Sequence, residues 1–184
     1  MPDSVSSEEY ESAKHGVSAQ IPDWSRERKG AREWNPGKAL LASIRSYESA
    51  GGTGTLNSWL RAWSVLRHRF WSAVTGADIP LNSRIAGGLM IPHPNGIVIH
   101  PACEIGPNCL IFQQVTIGAS DRGVPRIGGH VDIGAGAKIL GDVKIGDHVR
   151  IGANAVVLQD VPPYSTAVGV PAQILRRDST NDHR

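Results

Sequence analysis

The fold class that this sequence predicts is mainly β: a parallel β-helix built of six-residue units behind a short α-helical segment. Three observations predict it. From residue 78 onward aliphatic residues recur every six positions, as Ile79, Ile85, Ile91 and Ile97, then Ile99, Ile105, Ile111 and Ile117, then Ile127, Ile133, Ile139, Ile145, Ile151 and Val157. Glycine follows the aliphatic residue in IGPN, IGAS, IGGH, IGAG, IGDH and IGAN. The 184 residues contain 21 Gly and 12 Pro but only 5% aromatic residues, which suits tight turns and small contacts. An apolar period of six is no α-helical period of 3.6, but it is a multiple of the strand period of two. The chain length allows one core and a modest appendage.

The elements follow in order. Residues 1–34 are rich in Ser, Glu, Lys and Arg, with only Trp24 and Trp34 as large anchors, and read as a mobile polar arm. Residues 35–76 form the helical segment. Asn35 and Pro36 supply an N-cap and first helical position, and Leu40, Leu41, Ile44 and Tyr47 follow at helical spacing until Gly51 and Gly52. A second helix over about 57–75 carries Trp59, Leu60, Trp63, Leu66, Phe70 and Val74 on one stripe, with Arg61, Arg67 and Arg69 largely off it. The stripe is expected to pack against the first helix or another subunit; a cofactor or membrane role is the alternative. Residues 77–175 form the β-helix and 176–184 a polar tail.

In the β-helix each unit is a short strand and a turn with one aliphatic side chain pointing inward, and three units close a coil of 18 residues. Each coil buries its aliphatic row only against the coils above and below, so both ends need caps. The helical segment caps one end and VPPYSTAVGVPAQIL the other. A loop leaving such a coil costs entropy and adds nothing to the stack, so it is expected to serve a site. The two breaks surround IPHPNGIVIH and ASDRGVPR, residues 119–126.

The formal charge of +2 is too near balance for nucleic-acid binding and points to small-molecule partners. No apolar stretch is long enough to span a bilayer, and the first residues are polar and acidic, so a cytoplasmic protein is expected, with no membrane partner. Cys103 and Cys109 fit that compartment as reduced, half-buried residues, with neither a nucleophile.

The run IGAGAKILGDVKIGDHVRIGANAVVLQDVPPYSTAVGVPAQIL resembles the serine O-acetyltransferases, within the hexapeptide-repeat acyltransferases of the left-handed β-helix fold, and the likeness covers residues 78 to about 175. The resemblance implies an acetyl-CoA-dependent O-acetyltransferase acting on L-serine to give O-acetylserine for cysteine synthesis, and a homotrimer with sites between subunits. It places the general base on His93 in IPHPNGIVI and its carboxylate partner on Asp78 in GADIP, 15 residues earlier. Such a pairing is chemically apt: an imidazole with a pKa of about 6.5 takes the proton of a hydroxyl as it attacks a thioester, and a carboxylate fixes the tautomer and stabilises the imidazolium.

For acetyl-CoA, the coil arithmetic puts Ala135 under Ala153 and Asp132 under Arg150 on the outside of the prism. Two stacked alanines leave a groove for a pantetheine arm, or simply suit a coil corner. Arg150 matches a basic position facing the nucleotide phosphates, and Gly118 and Ala119 match the stretch beside the thioester. Arg122 is the candidate for a substrate carboxylate. His130 and His148, also 18 apart, are expected to stack on an outer surface. The γ-class carbonic anhydrases bind a metal on this fold through histidines five residues apart; here His93 and His100 are seven apart, so no metal is expected.

The sequence departs from the serine acetyltransferase pattern in its short helical segment, in Pro92 where an Asp precedes the catalytic His, and in Val124 where a second active-site His falls. These departures favour the alternative acceptor, a sugar or polysaccharide hydroxyl. The ending RRDSTNDHR lacks the terminal isoleucine used to dock a sulfhydrylase, so no stable complex of that kind is expected.

Overall fold

The computed structural model describes residues 16–30, 32–50 and 55–176. Helix α1 spans Pro36–Ser49, with the Asn35 side chain accepting from the Lys38 N–H at 3.0 Å and Pro36 in the first turn, as the sequence predicts. Its stop at Gly51 and Gly52 lies outside the described residues. Helix α2 spans Thr55–Thr75 and ends at Gly76, whose φ of +64° a glycine adopts without strain.

The repeat folds as thirteen short strands: β1 (Arg84–Ile85), β2 (Val98–Ile99), β3 (Glu104–Ile105), β4 (Leu110–Ile111), β5 (Thr116–Gly118), β6 (Arg126–Ile127), β7 (Asp132–Ile133), β8 (Lys138–Leu140), β9 (Lys144–Ile145), β10 (Arg150–Ile151), β11 (Val156–Val157), β12 (Ser165–Val168) and β13 (Gln173–Arg176). They line three faces of a prism. Face A is β2-β5-β8-β11, face B is β1-β3-β6-β9 and face C is β4-β7-β10-β12, parallel throughout, with β13 added antiparallel to β12 as the closing hairpin. In a typical two-residue strand the first side chain points out and the second, aliphatic one is buried. The inward row Ile99, Ile111, Ile117, Ile133, Ile139 and Val157 is 1% exposed or less, which is the core that the period of six predicts.

Register measures each coil. Val98 pairs with Thr116, Arg126 with Lys144, Asp132 with Arg150 and Lys138 with Val156, all 18 residues on. Around the first break the step is 20, as in Arg84 with Glu104. Around the second it is 22, as in Thr116 with Lys138. Comparison of neighbouring pairs puts the two extra residues between Met90 and Val98 and the four extra residues between Thr116 and Arg126. Both breaks thus leave the stack where the sequence placed them. The last coil is shortened, Arg150 pairing with Thr166.

The three edges are named by the faces they join. Edge AB carries residues 100–102, the loop 119–125 and Gly141. Edge BC carries Gly88, Asn108, His130, His148 and Tyr164, all with positive φ. Edge CA carries Gly76, the loop 92–96, Gln114, Gly136 and Asn154. Along each edge successive corners are joined by backbone bonds, such as Gln114 N to Asn95 O at 2.9 Å and Asn154 N to Ala135 O at 2.8 Å on edge CA.

Helix α1 caps the first coil with Leu40, Leu41 and Ile44, which join one core with Ile79 and Ile91. The approach is close enough that a Cβ on Gly37 would strike the carbonyl of Ile91. Helix α2 buries Ser64 and Thr75 and packs Trp71 against the core. Its apolar stripe, expected to pack on α1 or on another subunit, is not packed on α1: Trp59 is 78% and Trp63 60% exposed, and Leu60, Leu66, Phe70 and Val74 also face outward. The rings of Trp59, Trp63 and Phe70 thus face outward, while Ser64, Trp71 and Thr75 take the inner side.

The segment expected to be a mobile arm contains, in residues 16–30, a strap laid along edge BC; residues 1–15 and 31 lie outside the described residues. The Asn108 side chain accepts from the Asp23 N–H at 2.7 Å and donates to the carbonyls of Ser18 and Ile21. Gln20 donates to Asp147 at 2.8 Å. Glu27, whose side chain is 8% exposed, accepts from the N–H groups of Gly88 and Leu89 and pairs with Arg45 at 3.0 Å. Arg45 in turn donates to the carbonyls of Ile85 and Ala86. Burial opposes the Arg45 charge, but the Glu27 and Glu48 carboxylates outweigh it and hold its pKa above the ordinary arginine value. Composition hides this strap because its stability comes from polar partners more than 60 residues away in sequence. Glu27→Ala takes from the Arg45 guanidinium its buried carboxylate, leaving the more exposed Glu48, strips two N–H groups of their acceptor, and is expected to cost about 3–5 kcal/mol in urea unfolding.

Candidate active site

Asp78 and the loop that carries His93 both lie at the top of edge CA. Asp78 is the first residue of the stack: its N–H donates to Ile97 O at 2.8 Å, its carbonyl accepts from Ile99 at 3.0 Å, and it bridges to Val98. His93 sits in the two-residue excursion between Met90 and Val98, exposed, between Pro92 and Pro94. The Gly96 N–H donates to Gly76 O at 2.9 Å, which brings the loop back beside Asp78. Both residues are exposed, and they are not hydrogen-bonded to each other. From the other side His68 of α2 places its Nε2 2.8 Å from the carbonyl of Ile79, so α2 is tied to the residue following Asp78.

Ala135 and Ala153 lie lower on the same edge, in register one coil apart, Ala153 exposed and Ala135 half-buried. Both are therefore outside the prism, as the coil arithmetic requires. Between them and His93 come Gln113 and Gln114, and Gly136 and Asn154 stand beside the two alanines; the sequence did not single out any of the four. Their signal was present: they share the phase of Ala135 and Gly136, one or more coils removed. Lys138 donates to Gln114 O at 2.6 Å and stiffens this corner. Arg150 points outward from face C, which borders edge CA, and its Nε lies 3.9 Å from Asp132.

Gly118, Ala119 and Arg122 lie elsewhere. Gly118 ends β5 and pairs with Leu140, and the loop that follows closes on a tight Ser120–Gly123 turn at edge AB. Arg122 is exposed there. The width of face A separates this group from His93, Ala135 and Ala153 within one chain.

His130 and His148 do stack, but not as an outer surface pair. Their Nδ1 atoms are 2.8 Å apart, His148 is 4% exposed, and its ring lies parallel to Tyr164 at 4.7 Å. The two follow Gly129 and Asp147, the residues that the strap touches through Ala19 and Gln20. Among the described residues no cluster of three or more His, Cys, Asp or Glu is placed to hold a metal. Cys103 and Cys109 are free and fully buried rather than half-buried, and burial pushes their pKa up to about 11 and about 12, which leaves both protonated and inert. No described helix is long and apolar enough to cross a membrane.

A three-faced solenoid of 18-residue coils with aliphatic inward rows defines a hexapeptide-repeat protein, and residues 125–159 match the bacterial transferase hexapeptide family of six repeats. Its repeat region is similar to serine acetyltransferases. It is 48% identical over 119 residues to the serine acetyltransferase of Staphylococcus aureus, covering 60% of this chain and 56% of that protein, and 46% identical to that of Staphylococcus xylosus, covering 60% and 55%. A solved serine acetyltransferase in complex with CoA superposes with a TM-score of 0.65 at 36% identity, covering 77% of this chain and 58% of the other. The Neisseria gonorrhoeae serine acetyltransferase in complex with serine gives 0.64 at 33% identity, covering 80% and 63%. The left-handed β-helix expected from the sequence is the fold these share. The chain spans a little over half the length of the curated relatives it matches.

Proposed function

We propose that this protein is an acetyl-CoA-dependent O-acetyltransferase whose acceptor is L-serine. The observation that carries the reading is edge CA: an exposed histidine and an exposed aspartate at its top, the histidine on a loop that the solenoid itself does not need, directly above a column of small outward residues. His93 removes the acceptor hydroxyl proton as the oxygen attacks the thioester carbon, and Asp78 orients and balances the imidazolium. The sulfur leaves as the thiol of CoA. Ala135 and Ala153 give the pantetheine arm a groove with backbone donors and acceptors, and Arg150 meets the nucleotide phosphates. Similarity to serine acetyltransferases solved with CoA and with serine supports both ligands.

Gly118, Ala119 and Arg122 belong to the same site through a second copy. Face A separates the two groups in one chain, whereas a threefold arrangement sets edge AB of one subunit against edge CA of the next and uses the same patch three times. The outward stripe of α2 is then available to a neighbouring subunit. We expect a trimer by sedimentation at micromolar concentration; a monomer with full activity overturns the shared site. The reading places the enzyme in the cytoplasm, without metal, nucleic acid, membrane or a stable sulfhydrylase complex.

One observation favours the second acceptor class, a sugar hydroxyl. The loop at edge AB folds tightly on itself with Val124 half-buried, so it presents Arg122 but no second imidazole for an amino acid. Thiol release from acetyl-CoA in the presence of L-serine or a panel of sugars decides between the two. Turnover with serine alone sustains the first reading, turnover with sugars alone sustains the second, and no turnover with either removes the catalytic assignment.

A further inference from the structure

Edge BC carries a histidine pair that the proposed chemistry does not use. Asn108, His130, His148 and Tyr164 are its successive corners, all left-handed, with φ from +51° to +60°. Their N–H groups bond down the column to Gly87, Pro107, Gly129 and Asp147. The Nδ1 atoms of His130 and His148 face each other at 2.8 Å, a hydrogen-bond distance, and the rings meet edge to face at 4.9 Å. A contact between two ring nitrogens holds one proton: one Nδ1 donates and the other must accept through its lone pair. The accepting ring already carries its hydrogen on Nε2, so the pair tolerates an additional proton on the Nε2 of the donating ring but not a hydrogen on both Nδ1 atoms.

The residues just before the two histidines form the seat of the strap. The Gly129 N–H donates to Asp147 Oδ1 at 2.6 Å, and Asp147 Oδ2 accepts from Gln20 at 2.8 Å. The backbone of Ala19 lies so close over Gly129 that a Cβ there would strike its carbonyl. Moving the two corners apart therefore moves both attachment points of residues 19 and 20.

We propose that the His130–His148 pair is a proton-operated catch on the strap: docked while the pair shares one proton between its Nδ1 atoms, released when both rings become fully charged. The sign follows from proton counting. The open corner binds one more proton than the docked corner, so acid favours the open state, by up to about tenfold per pH unit. Charged and titratable groups on the same column include Asp147, which accepts from the Gly129 N–H, the Tyr164 ring against His148, and the Cys109 thiol, which burial holds at about 12 and which keeps its proton throughout. The released strap also loosens the Glu27–Arg45 end that ties α1 to the first coil.

Hydrogen exchange of peptides covering residues 16–30, corrected for the intrinsic pH dependence, tests this between pH 5 and 8 on the full chain. Wild type is expected to lose protection toward acid, with a slope of up to about tenfold per pH unit. His130→Asn and His148→Asn are expected to show a flat profile. Asparagine occupies the same left-handed corner at Asn108 and Asn154, so the backbone is kept. Both variants retain Asp147 and Asp132; a profile like that of wild type in either folded variant assigns the effect to the carboxylates and overturns the catch. A further readout needs no variant. In wild type, histidine side-chain resonances must show the pair taking up its last proton together with loss of strap protection; both rings charging fully while the strap stays protected overturns the proposal.

Discussion

Ile145→Asp is expected to unfold the solenoid, while Ala153→Trp leaves it folded and removes acetyl-CoA binding. Ile145 is 3% exposed and stacks between Ile127 and Val161 on the inward row of face B. An aspartate there buries a carboxylate with aliphatic neighbours and no donor, and either keeps its charge at several kcal/mol or takes up a proton at a similar cost. Against a total stability of about 5–15 kcal/mol that is enough to abolish the cooperative thermal transition. Ala153 faces solvent one coil below Ala135. A tryptophan there adds its ring outside the prism, so the melting temperature stays close to that of wild type while the KM for acetyl-CoA rises strongly. Calorimetry and a thiol-release assay on the two variants read the contrast. Loss of the fold by Ala153→Trp with CoA binding intact places Ala153 inside and discards the groove.

His93→Ala is expected to lower kcat by about a hundred- to ten-thousand-fold with little change in CoA affinity, the usual contribution of a positioned general base. The side chain is exposed and carries no coil packing, so its removal costs little stability. Asp78→Asn should cost less, since asparagine keeps the backbone bridge to Val98 and loses only the charge that balances an imidazolium. Wild-type turnover in both variants, measured with serine and with sugars, removes edge CA as the site.

Much of the molecule is legible in its sequence because a solenoid is nearly one-dimensional: each coil contacts its neighbours, so a period in residue number becomes a period in space. The recurrence from Ile79 to Val157 determined the inward row, the length of a coil, the stacking of Ala135 with Ala153 and of Asp132 with Arg150, and the two places where chain leaves the stack. Asn35 and Pro36 likewise announced α1, because capping is local chemistry.

What only the tertiary structure decided are the contacts between parts far apart in the chain, where no period applies. Residues 16–30 look like a polar arm until Asn108, Asp147 and Arg45 supply their partners. The α2 stripe has the spacing of a buried face, yet Ser64, Trp71 and Thr75 take the inner side, because the space left against the core suits small side chains and one ring rather than a row of bulky ones. His130 and His148 show both limits together. Their separation of 18 fixed that they stack, and the handed turn of the corner, invisible in a count of residues, decided that their Nδ1 atoms meet, next to the residues that the strap touches.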